Sequence, residues 1–338
     1  MGEPLSKPTI RDLARILELN QSTVSRALSG SGLVKEETRE RVLAEAKRCG
    51  YEFNSIASSL RKGVSNTVGI IVPRINRHFF AQTIGYAEME LNKEGYSTII
   101  CQSHDHFEEE KQALRTLVRS RVEGILMSHS IEDPDSSHIR SIVPDSIKLI
   151  QFDRVFLDLP GAKIVNDNFR GAYEATMHLI ERGYRKIGTL AGFMNTEAYR
   201  ERLRGYKQAL LDAGRVLDDG VIFFDSIVRD VGYQDALLAL DKGCDALYCA
   251  GDYSALGAIE AATNRGITCP DRFGVVGTAN EEFDSLMRPS LTSVEQNPDI
   301  LGQSAAQSFL NAVRTGEEPM SSMVEMHLII RESSSGFR

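Results

Sequence analysis

From Thr67 onward the chain alternates short β-branched apolar runs with longer amphipathic stretches. The runs read "TVGIIVP", "STIICQ", "GILMS", "KLIQF", "KIGTLAG", "VIFF", "ALYCA", "FGVVGT", "LTSVEQ" and "VEMHLIIR". Between them lie stretches such as "FAQTIGYAEMELNKEG" and "SALGAIEAATNRG", whose apolar residues recur with helical spacing. The helical stretches end at Gly95, Gly183, Gly214 and Gly266, where glycine closes a helix before the next strand. Strands alternating with helices predict parallel, doubly wound sheets. So many strands exceed one comfortable core, so the pattern predicts two α/β lobes.

The first 53 residues follow a different rule: helical spacing throughout, with no β-branched run. Thr9 precedes "IRDLARIL" with Asp12 three residues on, a capping-box start. Ile10, Leu13, Ala14 and Leu17 make its apolar face. Asn20 caps a second helix, "QSTVSRALS", and a third runs from about Lys35 to Cys49, stopped by Gly50. On the second helix Val24 and Leu28 face inward, while Gln21, Ser22, Ser25 and Arg26 make an outer face without aliphatics. A helix laid in a DNA major groove needs such donors and acceptors, with Arg suited to guanine and Gln to adenine. The Leu17–Asn20 turn between two short helices fits a helix-turn-helix. A solvated face on a small helical bundle would have the same composition.

Between the two regions lies "FNSIASSLRKG", residues 53–63. Asn54 can cap a helix, and Ile56, Ala57 and Leu60 share one face. Helices shorter than ~12 residues are marginal alone in water. The segment is therefore expected to become helical on a partner, with DNA as that partner; an ordinary linker is the alternative.

Charge sharpens the picture. The 338 residues carry a net −8, yet residues 1–63 hold 11 Lys/Arg against 8 Asp/Glu, which leaves −11 for the rest. A basic head on an acidic body suggests an anionic partner for the head alone. Five widely spaced cysteines with no C-x-x-C suit reduced thiols in a cytoplasm. No apolar run approaches the ~18 residues of a membrane span, and the first residues do not read as a secretory signal. Neither G-x-S-x-G, a Walker loop nor H-E-x-x-H occurs, so no enzyme is expected. His104, His106 and Glu108–Glu110 lack a fitting third ligand, so neither metal nor cofactor is expected. In open α/β sheets ligands sit beyond the carboxyl ends of strands. That rule nominates Arg74–Phe80, Asp153–Arg154, Phe193–Arg202, Ser226–Val228, Gly251–Asp252 and Thr278–Asn280.

The segments "TIRDLARILELNQSTVSRALSG" and "VKEETRERVLAEAKRCGYEFNSIASSLRKGVSNTVGIIVP", followed by "RERLRGY", "GDYSALGA", "VVGTANEEFDS" and "PSLTSVEQ", resemble the lac-repressor (LacI/GalR) family of bacterial transcription regulators, collinearly along the whole chain. The resemblance implies a small all-α helix-turn-helix headpiece on a two-lobed, periplasmic-binding-protein-like α/β body. Headpiece, hinge and linker, and body would span 1–53, 54–66 and 67–338. The amino-terminal lobe would take about 67–165 and 296–322, the carboxy-terminal lobe about 166–295 and 323–338. Gln21, Ser22 and Arg26 would meet base edges, with Asn20, Thr23, Ser25 and Arg61 at phosphates. Leu60 would wedge into the minor groove. The partners implied are a pseudo-palindromic double-stranded operator, a small-molecule effector and a second copy of the chain, in a cytoplasmic repressor.

For the effector cleft the resemblance implies Phe79, Phe80, Asp153, Arg202, Ile227, Asp252 and Asn280, with Gln296 at a crossover between lobes. Arg202 otherwise reads as a salt-bridge residue, and Phe79 and Phe80 as core. Three positions depart from the pattern. Glu18 stands where a turn glycine is usual, Lys35 where an N-cap serine is preferred, and Ala279-Asn280 where sugar-binding relatives commonly carry aspartate. Alanine accepts no hydroxyl, which weighs against a simple neutral sugar and leaves a phosphorylated or acidic sugar, a nucleobase, or a sugar in an altered pose.

Overall fold

The computed structural model describes residues 8–28, 34–51, 65–132 and 135–336. Residues 54–64 of the hinge and linker, with Leu60 and Arg61, lie outside the described residues. Two units emerge, with the division after Ser65.

The first unit contains α1 (Ile10–Ile16), α2 (Gln21–Leu28) and α3 (Glu36–Arg48). Thr9 and Asp12 close a reciprocal cap on α1: the Asp12 N–H donates to Thr9 Oγ1 (3.3 Å) and the Thr9 N–H to Asp12 Oδ2 (3.0 Å). Glu18 ends the turn in the left-handed region, φ 55°. Lys35 precedes α3 without a side-chain cap bond. Leu13, Val24 and Val42 are fully buried and, with Ala14, Ala27 and Ala46, hold the three helices together. Full burial of such side chains stabilises by about 1.5–3 kcal/mol each.

The second unit holds two six-stranded sheets. The first is built from β1 (Thr67–Val72), α4 (His78–Lys93), β2 (Ser97–Gln102), α5 (Phe107–Arg119), β3 (Gly124–Met127), α6 (Ser137–Ile142), β4 (Lys148–Phe152) and β5 (Ala162–Asn166). The second is built from α7 (Asn168–Glu181), β6 (Ile187–Leu190), α8 (Glu197–Asp212), β7 (Ile222–Phe223), α9 (Arg229–Asp241), β8 (Ala246–Cys249), α10 (Asp252–Asn264), β9 (Gly274–Thr278) and β10 (Thr292–Glu295). Then α11 (Pro298–Thr315) and β11 (Ser322–Val324) return to the first, and β12 (His327–Ile329) to the second. Strand orders are β11-β5-β4-β3-β1-β2 and β12-β10-β9-β8-β6-β7, and every pairing is parallel except β10 with β12. Both sheets repeat the 2-1-3-4-5 winding, which opens a crevice where the strand order reverses.

Apolar clusters cover both faces of each sheet. Gly95, Gly183, Gly214 and Gly266 all carry positive φ at helix ends, a conformation that side chains with a Cβ disfavour.

Two features differ from the pattern read in the sequence. β5, "AKIVN", is a strand that no long apolar run announces. "VEMHLIIR" is not one strand: Val324 pairs with Asn166 in the first sheet, whereas Leu328 pairs with Val294 in the second. The last crossing between lobes therefore follows Val324 rather than residue 322. At the first two crossings, Asn166 Nδ2 donates to the Gln296 carbonyl (2.6 Å).

Candidate functional site

In the headpiece, α2 turns Val24 and Ala27 inward. Asn20, Gln21, Ser22 and Arg26 are exposed, and Thr23 and Ser25 are half-buried. The exposed face thus carries an amide, a hydroxyl and a guanidinium on one short rigid element, matching the hydrogen-bonding groups that read base edges.

In the body, the carboxyl ends of both sheets face a cavity of about 470 Å³. β1 delivers Arg74 and Arg77, β2 His104 and Asp105, and β4 Asp153 and Arg154. From the second sheet come Phe193, Asp225, Ile227, Asp252 and Ala279, with Gln296 at the crossing. The size falls within the range typical of small-molecule sites.

Phe79 and Phe80 open α4, both buried, their rings 5.1 Å apart at 68°. Each belongs to the core cluster of its lobe and also lines the cavity, so the two readings of these residues coexist. Asp153 follows β4 with φ 58° and accepts a long bond from Ser128 Oγ (3.4 Å). Burial raises its pKa above the ordinary carboxyl value.

Arg202, on α8, is buried and lines the cavity. Its Nε donates to Asn168 Oδ1 and one Nη to the Ala250 carbonyl, both at 2.7 Å. Both acceptors are neutral, so these bonds fix the fork without making a salt bridge. Ile227 lines the cavity, half-buried. Asp252 begins α10, accepting from Ser293 Oγ (2.7 Å) and the Glu281 N–H (3.0 Å). Burial raises its pKa too.

Asn280 is a correction. It is not among the cavity-lining residues: its Nδ2 donates to Glu295 Oε2 (2.7 Å) and its Oδ1 accepts from Arg331 (2.6 Å). The backbone is left-handed at both Ala279 (φ 127°) and Asn280 (φ 53°), and Ala279 and Glu281 line the cavity instead.

Asp105 also lines the cavity, at a strand exit that the sequence reading does not include. Asp105 accepts from Arg154 (2.5 Å) and Arg74 (3.2 Å). Burial opposes ionisation there, yet the two guanidinium groups hold its pKa below the ordinary value. Arg77 of the first lobe lies over Tyr253 of the second, 3.7 Å from the ring centre. Beside it His78 Nδ1 is 3.3 Å from Glu282. Applying the strand-exit rule to "STIICQ" would have nominated Asp105; the pairs between lobes leave no local signal. Among the described residues no group of three His, Cys, Asp or Glu is arranged to hold a metal.

A polar recognition helix on a three-helix headpiece, joined in one chain to a two-lobed α/β body enclosing a small-molecule cavity, defines a ligand-responsive DNA-binding regulator. Residues 9–54 match the model of the bacterial regulatory proteins of the lacI family, and residues 65–332 that of the periplasmic binding proteins and sugar binding domain of the LacI family. The chain belongs to the LacI family of transcription regulators.

Similar proteins include the transcriptional repressor PurR of Mannheimia succiniciproducens, 29% identical over 330 residues, covering 96% of this chain and 98% of that one. The regulator RegA of Clostridium saccharobutylicum is 32% identical over 334 residues, covering 96% and 99%. Among solved structures, a transcriptional regulator CelR–cellobiose complex superimposes with TM-score 0.73 at 27% identity, covering 96% of this chain and 99% of that one. The lac repressor dimer bound to operator and the anti-inducer ONPF gives 0.85 at 23% identity, covering 97% and 99%, a likeness of fold. PurR and a ribose operon repressor of Haemophilus influenzae, 30% identical over 330 residues and covering 96% of this chain and 98% of that one, are both named as repressors. Among the described residues no helix is long and apolar enough to cross a membrane.

Proposed function

We propose that the protein represses transcription in the cytoplasm as a homodimer on a pseudo-palindromic operator, under control of a hydroxylated metabolite, a sugar or sugar derivative, held between its lobes. Gln21, Ser22 and Arg26 read base edges, and Asn20, Thr23 and Ser25 meet phosphates. Residues 54–66 serve as hinge, with Leu60 as minor-groove wedge and Arg61 at a phosphate, roles that rest on the family resemblance. Phe79, Phe80, Asp153, Arg202, Ile227 and Asp252 hold the effector. The observation that carries the effector assignment is the pairing of buried carboxyls with a buried, pre-bonded guanidinium on one cavity. Carboxylates accept from hydroxyls and a guanidinium donates to them. The likeness to a ribose operon repressor and to a cellobiose-bound regulator supports the same class. Effector binding alters the relation of the lobes, and operator affinity changes with it; the coupling is reciprocal.

The test is operator selection from random duplexes, then anisotropy with wild type and Arg26→Ala. The variant should lose about 1–3 kcal/mol of discrimination against a substituted base while keeping its salt-dependent affinity for unrelated DNA. Unaltered discrimination would remove Arg26 from the bases.

A further inference from the structure

Resting on the reading of a hydroxylated effector, we infer that the natural ligand is a neutral glycan of two linked rings, without phosphate or carboxylate. Volume is the first argument. About 470 Å³ would hold roughly 15 waters at ~30 Å³ each. A single hexose has fewer non-hydrogen atoms than that, and bonded atoms pack closer than waters.

The cavity also has two tiers. Asp153 and Arg202 are 7% and 5% exposed, and a hydroxylated ring beside them is closed off from solvent. Val228 and Val231 line the same cavity at 40% and 39% exposure, leaving room for a second ring at the mouth. The apolar faces of that ring would cover these valines.

Charge decides against an anion. Among the described residues six carboxyl groups and four guanidinium groups line the cavity. Arg74 and Arg154 both bond to Asp105, and Arg77 lies over Tyr253. A phosphate drawn to Arg74 or Arg154 would have to displace Asp105, and one drawn to Arg202 would sit beside Asp153 and Asp252, the carboxyls that already interact with that guanidinium. The missing carboxylate at Ala279, which in the sequence weighs against a neutral sugar, is answered by Asp153, an acceptor on the opposite lobe.

The experiment is calorimetric titration of the full-length protein. The ligands are maltose, cellobiose, lactose, melibiose, sucrose and trehalose, their component hexoses, the corresponding hexose phosphates, and adenine, guanine and hypoxanthine. At least one disaccharide should bind about tenfold or more tighter than its hexoses, with the phosphates no tighter than the hexoses. Val231→Trp, which fills the outer tier at an exposed position, should collapse that ratio towards unity. Equal affinity for one ring and two, a ratio unmoved by Val231→Trp, or no binding by any disaccharide overturns the two-ring ligand. A phosphate that binds tightest overturns neutrality. Each of these except the absence of all sugar binding leaves the hydroxylated-effector reading standing. Binding of a nucleobase with no sugar or phosphate bound at all overturns both.

Discussion

The guanidinium of Arg77 lies 3.7 Å from the centre of the Tyr253 ring, so a side chain of the amino-terminal lobe caps an aromatic of the carboxy-terminal lobe at the wall of the cavity. Phe283 meets the same tyrosine edge-on at 5.1 Å, which holds the ring in place. Such a contact is worth ~0.5–2 kcal/mol according to how dry it is. Arg77→Ala should therefore weaken effector binding by roughly 2–30-fold. In a double-mutant cycle with Tyr253→Leu the two losses should not add. Additive losses by titration calorimetry would mean that the two residues act separately.

Arg202 donates through a fork that lysine does not have. With its bonds to Asn168 and Ala250 gone, Arg202→Lys leaves buried acceptors unpaired and the effector without a fixed partner. Losing a charged hydrogen bond costs about 1.5–3 kcal/mol, so the effector concentration at half response should rise roughly 10–150-fold. Operator binding without effector is the control. An unshifted midpoint would take Arg202 out of ligand recognition.

Asp284 is fully buried, and burial followed by the neighbouring Asp252 carboxylate pushes its pKa up to about 10. A folded-state pKa above the unfolded value means the folded chain holds the proton more tightly. This contribution to stability is complete below the ordinary carboxyl pKa and declines as pH rises towards about 10. Asp284→Asn cannot ionise, so it should gain ~1–3 kcal/mol over wild type at mildly alkaline pH and little in acid. Thermal melts across the pH range would refute this if the two curves stayed parallel.

Glu18 adopts φ 55° in the turn between α1 and α2, a conformation that costs a residue with a Cβ about 1–2 kcal/mol and glycine little. Glu18→Gly should stabilise the headpiece by about 1 kcal/mol, seen as slower amide exchange in α1 and α2 of the intact protein. Unchanged exchange would show that the side chain offsets its backbone strain.

The sequence carried some of these features and hid others. Helical spacing and the Thr9–Asp12 cap are local signals, so α1 to α3 were legible, as were the strands with long β-branched runs. β5 was not, because the apolar residues of "AKIVN" make no long run and the segment gains its place by pairing with both β4 and β11. Strand exits placed Asp153, Ile227 and Asp252 at the cavity because that rule follows from topology. Asn280 escaped it: its partner Arg331 is 51 residues away, and a left-handed backbone takes the side chain out of the cavity wall. Asp105 and Arg154, 49 residues apart, meet only once the sheet is assembled.

The return of the chain through β11 before β12 makes each lobe a mosaic of distant stretches. A single cut point cannot exchange one lobe between relatives, because the short stretch Ser322–Ile329 supplies an edge to each sheet in turn. Recombination that keeps both lobes intact has to treat everything from β1 to the carboxyl-terminal strands as one indivisible cassette, with the headpiece as the portable piece.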